Sequence, residues 1–140
     1  MPHINGVINN RQIIIPILIY KAGTLAANNG LPPQSKQWNA LVDTGAMFSC
    51  ISRRCIQELQ LVQRGEDCVN MNSASGTYEA KLYAIDFWMP TTLPNATKGE
   101  IYEVIECSGG NTYDVIIGMD IILKGTLNLS SDGHFTLSLL

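Results

Sequence analysis

Apolar residues in this 140-residue chain fall almost everywhere at the period of a strand, and that patterning limits the fold more than any other feature. Leu127 and Leu129 alternate with polar residues, Ser131-Asp132-Gly133 supplies a turn, and Phe135, Leu137 and Leu139 alternate again. A period of two buries one face of a hairpin and leaves the other in water. Gln12–Tyr20 is an apolar, β-branched run whose Pro16 has no amide proton to give, which places it at a sheet edge or a bulge. Trp38–Val42, Phe48–Ile51, Cys68–Met71, Thr77–Met89, Glu100–Cys107 and Tyr113–Ile117 read as further strands. One window keeps a helical period for more than two turns. There Ser52 caps Arg53–Leu61, with Cys55, Ile56 and Leu59 as the apolar stripe and Arg54–Glu58 as a solvated i, i+4 pair. Lys21–Gln37 and Pro90–Gly99 read as loops, Ser108–Asn111 as a turn, and Met119–Leu123 as about one helical turn. The class that follows is all-β, one domain over residues 1–140, without repeat or internal linker.

Composition removes several function classes. Apolar residues make up 46% and charged residues 15%, enough for a packed core and too little charge for disorder. A net charge of −3 with no basic stretch argues against a nucleic-acid partner. The longest apolar runs, Ile13–Tyr20 and Val115–Ile117, are too short to span a membrane, so no membrane partner is expected. Met1-Pro2-His3-Ile4-Asn5-Gly6 lacks the basic start and apolar stretch of a secretory signal, so the expected location is cytoplasmic. The sequons at Asn95 and Asn128 carry no weight there. Cys50, Cys55, Cys68 and Cys107 form no Cys-x-x-Cys and have no neighbouring His, so they read as reduced, mostly buried thiols. His3 and His134 read as surface residues, Trp38 and Trp88 as packing residues. No metal and no organic cofactor is expected.

Chemistry concentrates at Leu41-Val42-Asp43-Thr44-Gly45-Ala46, where a carboxylate stands at the end of an apolar strand. On its own the tripeptide Asp43-Thr44-Gly45 fits an ordinary turn after a strand. Downstream, Asp114-Val115-Ile116-Ile117-Gly118-Met119-Asp120 offers a second apolar strand ending in a glycine. In this order and spacing the two segments resemble the retropepsin-like aspartic proteases, over roughly Gln12 to Leu140. The resemblance implies a closed, barrel-like protomer with one short helix, a flap hairpin and an active site at a homodimer interface.

By that resemblance Asp43 is the catalytic carboxylate, and Thr44 clasps the active-site loops of two subunits through hydroxyl-to-backbone contacts. Gly45 lines the substrate backbone with Ala46 beside it. The hairpin Cys68–Ala80 is the flap, its tip at Ser73, Ala74, Ser75 and Gly76, and Ile116, Ile117 and Gly118 give structural support. Met47 and Met119 stand where retroviral members carry an acidic residue and an arginine. Changing both avoids a buried unpaired charge and points to a cellular or bacterial-type member. The flap tip also departs from the glycine-rich retroviral pattern. Asp67, Asp86, Asp114, Asp120 and Asp132 lack the Thr-Gly that follows a catalytic carboxylate, so the second acid comes from a second copy. The implied activity is that of an aspartic endopeptidase acting on extended peptides or proteins. Two other readings stay open: a catalytically silent module of the same fold that binds peptides or mediates dimerisation, and an unrelated small all-β binding domain.

Overall fold

The computed structural model describes residues 3–73, 76–90, 100–107, 110 and 112–139. Strands β1 (His3–Val7) and β2 (Ile14–Lys21) precede a one-turn helix, α1 (Thr24–Ala27). Next come β3 (Trp38–Val42), β4 (Cys50–Ser52) and helix α2 (Arg53–Leu59). The long hairpin β5 (Gln63–Ser73) and β6 (Gly76–Trp88) is followed by β7 (Glu100–Cys107) and β8 (Val115–Ile117). Helix α3 (Met119–Ile122) and the hairpin β9 (Gly125–Leu129) and β10 (His134–Leu139) end the described chain.

Among the described residues these strands form a seven-stranded sheet, β2-β3-β8-β4-β7-β6-β5, and a three-stranded sheet, β1-β10-β9. The larger sheet curls until β2 also pairs with β6. Strand β2 divides its partners: Ile14–Ile17 face β3 and Leu18–Lys21 face β6. Pro16 lies opposite Asn39 in the first half, where among the described residues β3 is the one strand paired with it. That is the edge position a proline tolerates.

Alternation fills the barrel. Ile15, Ile17 and Ile19 of β2, Trp38, Ala40 and Val42 of β3, and Val115 and Ile117 of β8 all point into one core. Phe135, Leu137 and Leu139 of β10 enter the same core and tie the small sheet to the large one, while Leu129 of β9 stays 60% exposed. Each buried side chain of this size contributes about 1.5–3 kcal/mol. A one-residue slip of β10 would expose all three, so the register is well determined. No helix among the described residues is long and apolar enough to cross a membrane.

Four local expectations are corrected. Lys21–Gln37 contains α1, whose first turn is held from far away: the carboxylate of Asp86, 2% exposed in β6, accepts the amides of Gly23 (3.2 Å) and Leu25 (2.9 Å). Helix α2 is capped as expected, Ser52 Oγ accepting the Cys55 amide at 3.1 Å, but it ends at Leu59 with Gln60 in the left-handed region. The Arg54–Glu58 pair does not form. Arg54 turns to Asp114, and Glu58 pairs with Lys36 at 2.8 Å, whose ammonium also lies 4.0 Å above the Trp38 ring. Strand β5 starts at Gln63 rather than Cys68, across an irregularity that sets Gln63 opposite Tyr83 but Cys68 opposite Lys81.

Cys50 and Cys55 are buried and Cys107 half-buried, and none of the three is in a disulfide. Burial, reinforced by the Asp114 and Glu58 carboxylates, pushes the Cys55 thiol from 9.0 up to about 12. An unfolded chain loses that proton near 9.0 while the folded chain keeps it to about 12. The stability it contributes is therefore whole below the unfolded value and is lost as pH rises through this window. Denaturant midpoints are expected to fall across that range, and to fall less steeply in Cys55→Ala; equal slopes in the two proteins would contradict this.

Candidate active site

Strands β3 and β8 run parallel at the centre of the large sheet, with Ala40, Leu41 and Val42 opposite Val115, Ile116 and Ile117. Both stop at the same level. The Asp43 amide donates to the Ile117 carbonyl at 2.9 Å, which carries the ladder one step past the strand end. Since Ala40 and Val42 face the core, Leu41 and Asp43 face the other side of the sheet by alternation. Ile116 shares that side and packs with Cys50, Ala80, Leu82 and Cys107, whereas Ile117 is buried in the main core. The expected support from Ile116 and Ile117 thus comes from different sides.

The loop beyond the strand is closed by its own backbone. Asp43 is half-buried; its Oδ1 accepts the Gly45 amide at 2.8 Å, and its carbonyl accepts the Ala46 amide at 3.2 Å. Thr44 and Gly45 are exposed. A Cβ on Gly45 would stand 3.2 Å from Asp43 Oδ1, close enough to press on the carboxylate. The result is a carboxylate with a fixed base and an open face.

Underneath lies the segment Gly118–Asp120. The Met119 amide donates to the Ala46 carbonyl at 2.8 Å and the Asp120 amide to the Met47 carbonyl at 3.3 Å. Gly118 is where the two backbones pass: a Cβ there would lie 2.8 Å from Ala46 O and 2.8 Å from the Phe48 carbonyl carbon. The β5–β6 hairpin expected as the flap is present, with Val69 opposite Ala80 and Ser73 opposite Gly76. Gly76 sits at φ +125°, a backbone state that favours glycine. Ala74 and Ser75 lie outside the described residues, as do most of the loop Pro90–Gly99 and of the turn Ser108–Asn111.

With this geometry in place, the comparisons are specific. A family model for aspartyl proteases matches residues 26–121. The chain belongs to the aspartyl protease family. Its fold is retropepsin-like. A retropepsin-like aspartic protease from Rickettsia conorii superposes with a TM-score of 0.63 at 14% identity, covering 98% of this chain and 90% of that one. The EIAV protease bound to the inhibitor HBY-793 superposes with a TM-score of 0.54 at 16% identity, covering 81% of this chain and 88% of that one. No curated protein sequence matches the chain.

Within this aspartyl protease-family fold, Asp86, Asp114 and Asp132 are occupied elsewhere. Asp86 holds α1, and Asp114 accepts from Ser52 Oγ (2.8 Å) and Arg54. Asp132 accepts the His134 amide (3.1 Å), and His134 draws its carboxyl below the usual range. The account of Met47 and Met119 needs correction. In the single chain Met47 is 74% exposed, so a charge there would not be buried within the chain, while Met119 packs against the core. The polar link between the two loops runs instead through Ser49 and Asp120, a pair the sequence reading passed over. Ser49 Oγ donates to Asp120 Oδ1 at 2.6 Å, and the Ser49 amide lies 3.0 Å from both carboxylate oxygens. The available signal was an acidic residue one step after Gly118-Met119, paired with a serine three steps after Ala46.

Proposed function

We propose that this chain is an aspartic endopeptidase that acts as a homodimer, Asp43 of each copy supplying one carboxylate of the reacting pair. The observation that carries the reading is the placement of Asp43 at the joint end of β3 and β8, in an Asp-Thr-Gly loop whose Thr44 and Gly45 are exposed. One such loop per chain calls for a second copy. Two carboxylates about 3 Å apart share one proton, because both cannot ionise cheaply at that range. The ionised member takes a proton from water as the water oxygen bonds to the peptide carbonyl carbon. The protonated member gives its proton to the carbonyl oxygen. Collapse of the tetrahedral adduct breaks the C–N bond: the carboxyl that took the water proton gives it to the leaving nitrogen, and a hydroxyl of the adduct returns a proton to the other carboxylate.

In this reading the Thr44 hydroxyl reaches the partner's loop, and the β5–β6 hairpin closes over an extended peptide through backbone hydrogen bonds. Met47, Phe48 and Leu123 are exposed large apolar side chains, suited to meet a substrate side chain or the second copy. That Cys50, Cys55 and Cys107 are not in disulfides supports a reducing, cytoplasmic setting. The test is the initial rate of cleavage of an unbiased peptide mixture against protein concentration. The rate should rise faster than linearly and then become proportional to protein. Proportional cleavage down to the lowest concentrations would contradict the dimer, and no cleavage by a folded dimer would favour a silent peptide-binding module.

A further inference from the structure

The side chains of the loop carrying Asp43 give little help in holding its shape. Thr44, Gly45, Met47 and Phe48 are exposed, so apolar burial cannot fix the path between β3 and β4. Polar contacts do this instead, and they converge on one carboxylate. Both oxygens of Asp120 lie 3.0 Å from the Ser49 amide; Oδ1 also accepts the Ser49 hydroxyl at 2.6 Å and the Ile121 amide at 3.0 Å. Ser49 is 1% exposed, and its Oγ in turn accepts the Gly118 amide at 2.9 Å, which fixes the direction of its proton toward Asp120.

We infer that Asp120 is a positioning residue for Asp43, acting through Ser49. The inference rests on the reading of Asp43 as the reacting carboxylate. The route is continuous. Asp120 fixes Ser49 at the far end of the loop, Met119 and Asp120 amides fix the Ala46 and Met47 carbonyls, and the Ala46 amide fixes the Asp43 carbonyl. A charged acceptor gives the strongest hydrogen bonds in this chain of contacts. It stands where an exposed Met47 leaves no acid to anchor the loop. Removing it leaves the buried Ser49 amide and hydroxyl to find other partners, and the loop shifts as they do.

Three variants test this: Asp120→Ala, Asp120→Asn and Ser49→Ala, with kcat and KM measured per folded molecule beside thermal midpoints. Misplacing a reacting group by about 1 Å costs about 100-fold in rate. Asp120→Ala is therefore expected to lower kcat by about 10- to 100-fold with KM within about threefold. Ser49→Ala, which keeps the backbone donor, should fall between it and wild type. Asp120→Asn retains one acceptor oxygen and should recover most of the lost rate. The ¹³C resonance of the Asp43 carboxyl should move in Asp120→Ala. Asp120→Asn and Ser49→Ala keep the test open should Asp120→Ala not fold. A lower thermal midpoint with unchanged kcat and an unmoved Asp43 resonance would overturn the inference, leaving Asp120 a purely structural residue. A moved resonance in a protein whose wild type cleaves nothing would uphold the positioning role and reject the endopeptidase reading.

Discussion

Asp43→Asn is expected to lower kcat/KM for peptide cleavage by at least about 10³-fold, because in the proposed mechanism the residue serves as base in one subunit and as acid in the other. An amide matches the carboxylate in size, and its oxygen can still accept the Gly45 amide that Asp43 Oδ1 accepts at 2.8 Å. The fold should therefore be untouched and the thermal midpoint close to that of wild type. The lost property is the proton that two carboxylates share, which an Asn–Asn pair cannot hold. Kinetics and thermal unfolding on the same sample separate the two effects. Undiminished cleavage by the variant would remove Asp43 from the mechanism.

Gly118→Ala is expected to damage both stability and activity, for a reason of space rather than backbone conformation. Gly118 lies at φ −95° and ψ −173°, which alanine adopts freely. Its added Cβ, however, would meet Ala46 O and the Phe48 carbonyl carbon at 2.8 Å and Phe48 O at 2.9 Å. These are backbone atoms of the Asp43 loop and cannot rotate aside, so the loop itself must move. Overpacking of this kind costs about 1–3 kcal/mol, and displacement of the reacting carboxylate should cost about 100-fold in kcat. Gly133→Ala is the contrasting control. Gly133 sits at φ +87° with open space around it. Alanine there should cost about 1–2 kcal/mol through conformation alone and leave cleavage unchanged. Wild-type stability in Gly118→Ala would show that the loops are not packed as described.

Much of this molecule was legible in its residues because the deciding signals are local. Trp38–Val42 and Glu100–Cys107 are strands with the expected bounds, since β-branched and alternating side chains select a strand wherever one face is buried. The Ser52 cap is a contact between near neighbours in sequence and was readable for the same reason. Features set by distant partners were not legible. Helix α1 depends on a carboxylate 61 residues from Leu25, and its own sequence offers no side-chain cap. Arg54 ignores the i+4 glutamate for Asp114, which β8 brings alongside. The link through Ser49 and Asp120 spans 71 residues, and the pairing of β4 with β8, Cys50 opposite Ile116, makes the two neighbours. The position of Asp43 was readable from its motif, whereas the contacts that hold its loop were not.

The central claim is that each working site contains two copies of Asp43. It is tested most directly by mixing wild type with Asp43→Asn at a fixed wild-type concentration, allowing subunits to exchange, and measuring the cleavage rate. Mixed dimers hold one carboxylate and should be inactive. With equal amounts of the two chains and random pairing, about a quarter of all dimers remain active, so each wild-type chain delivers about half its former rate. A rate per wild-type chain that stays constant as the variant is added would contradict the account and place a complete site within a single chain.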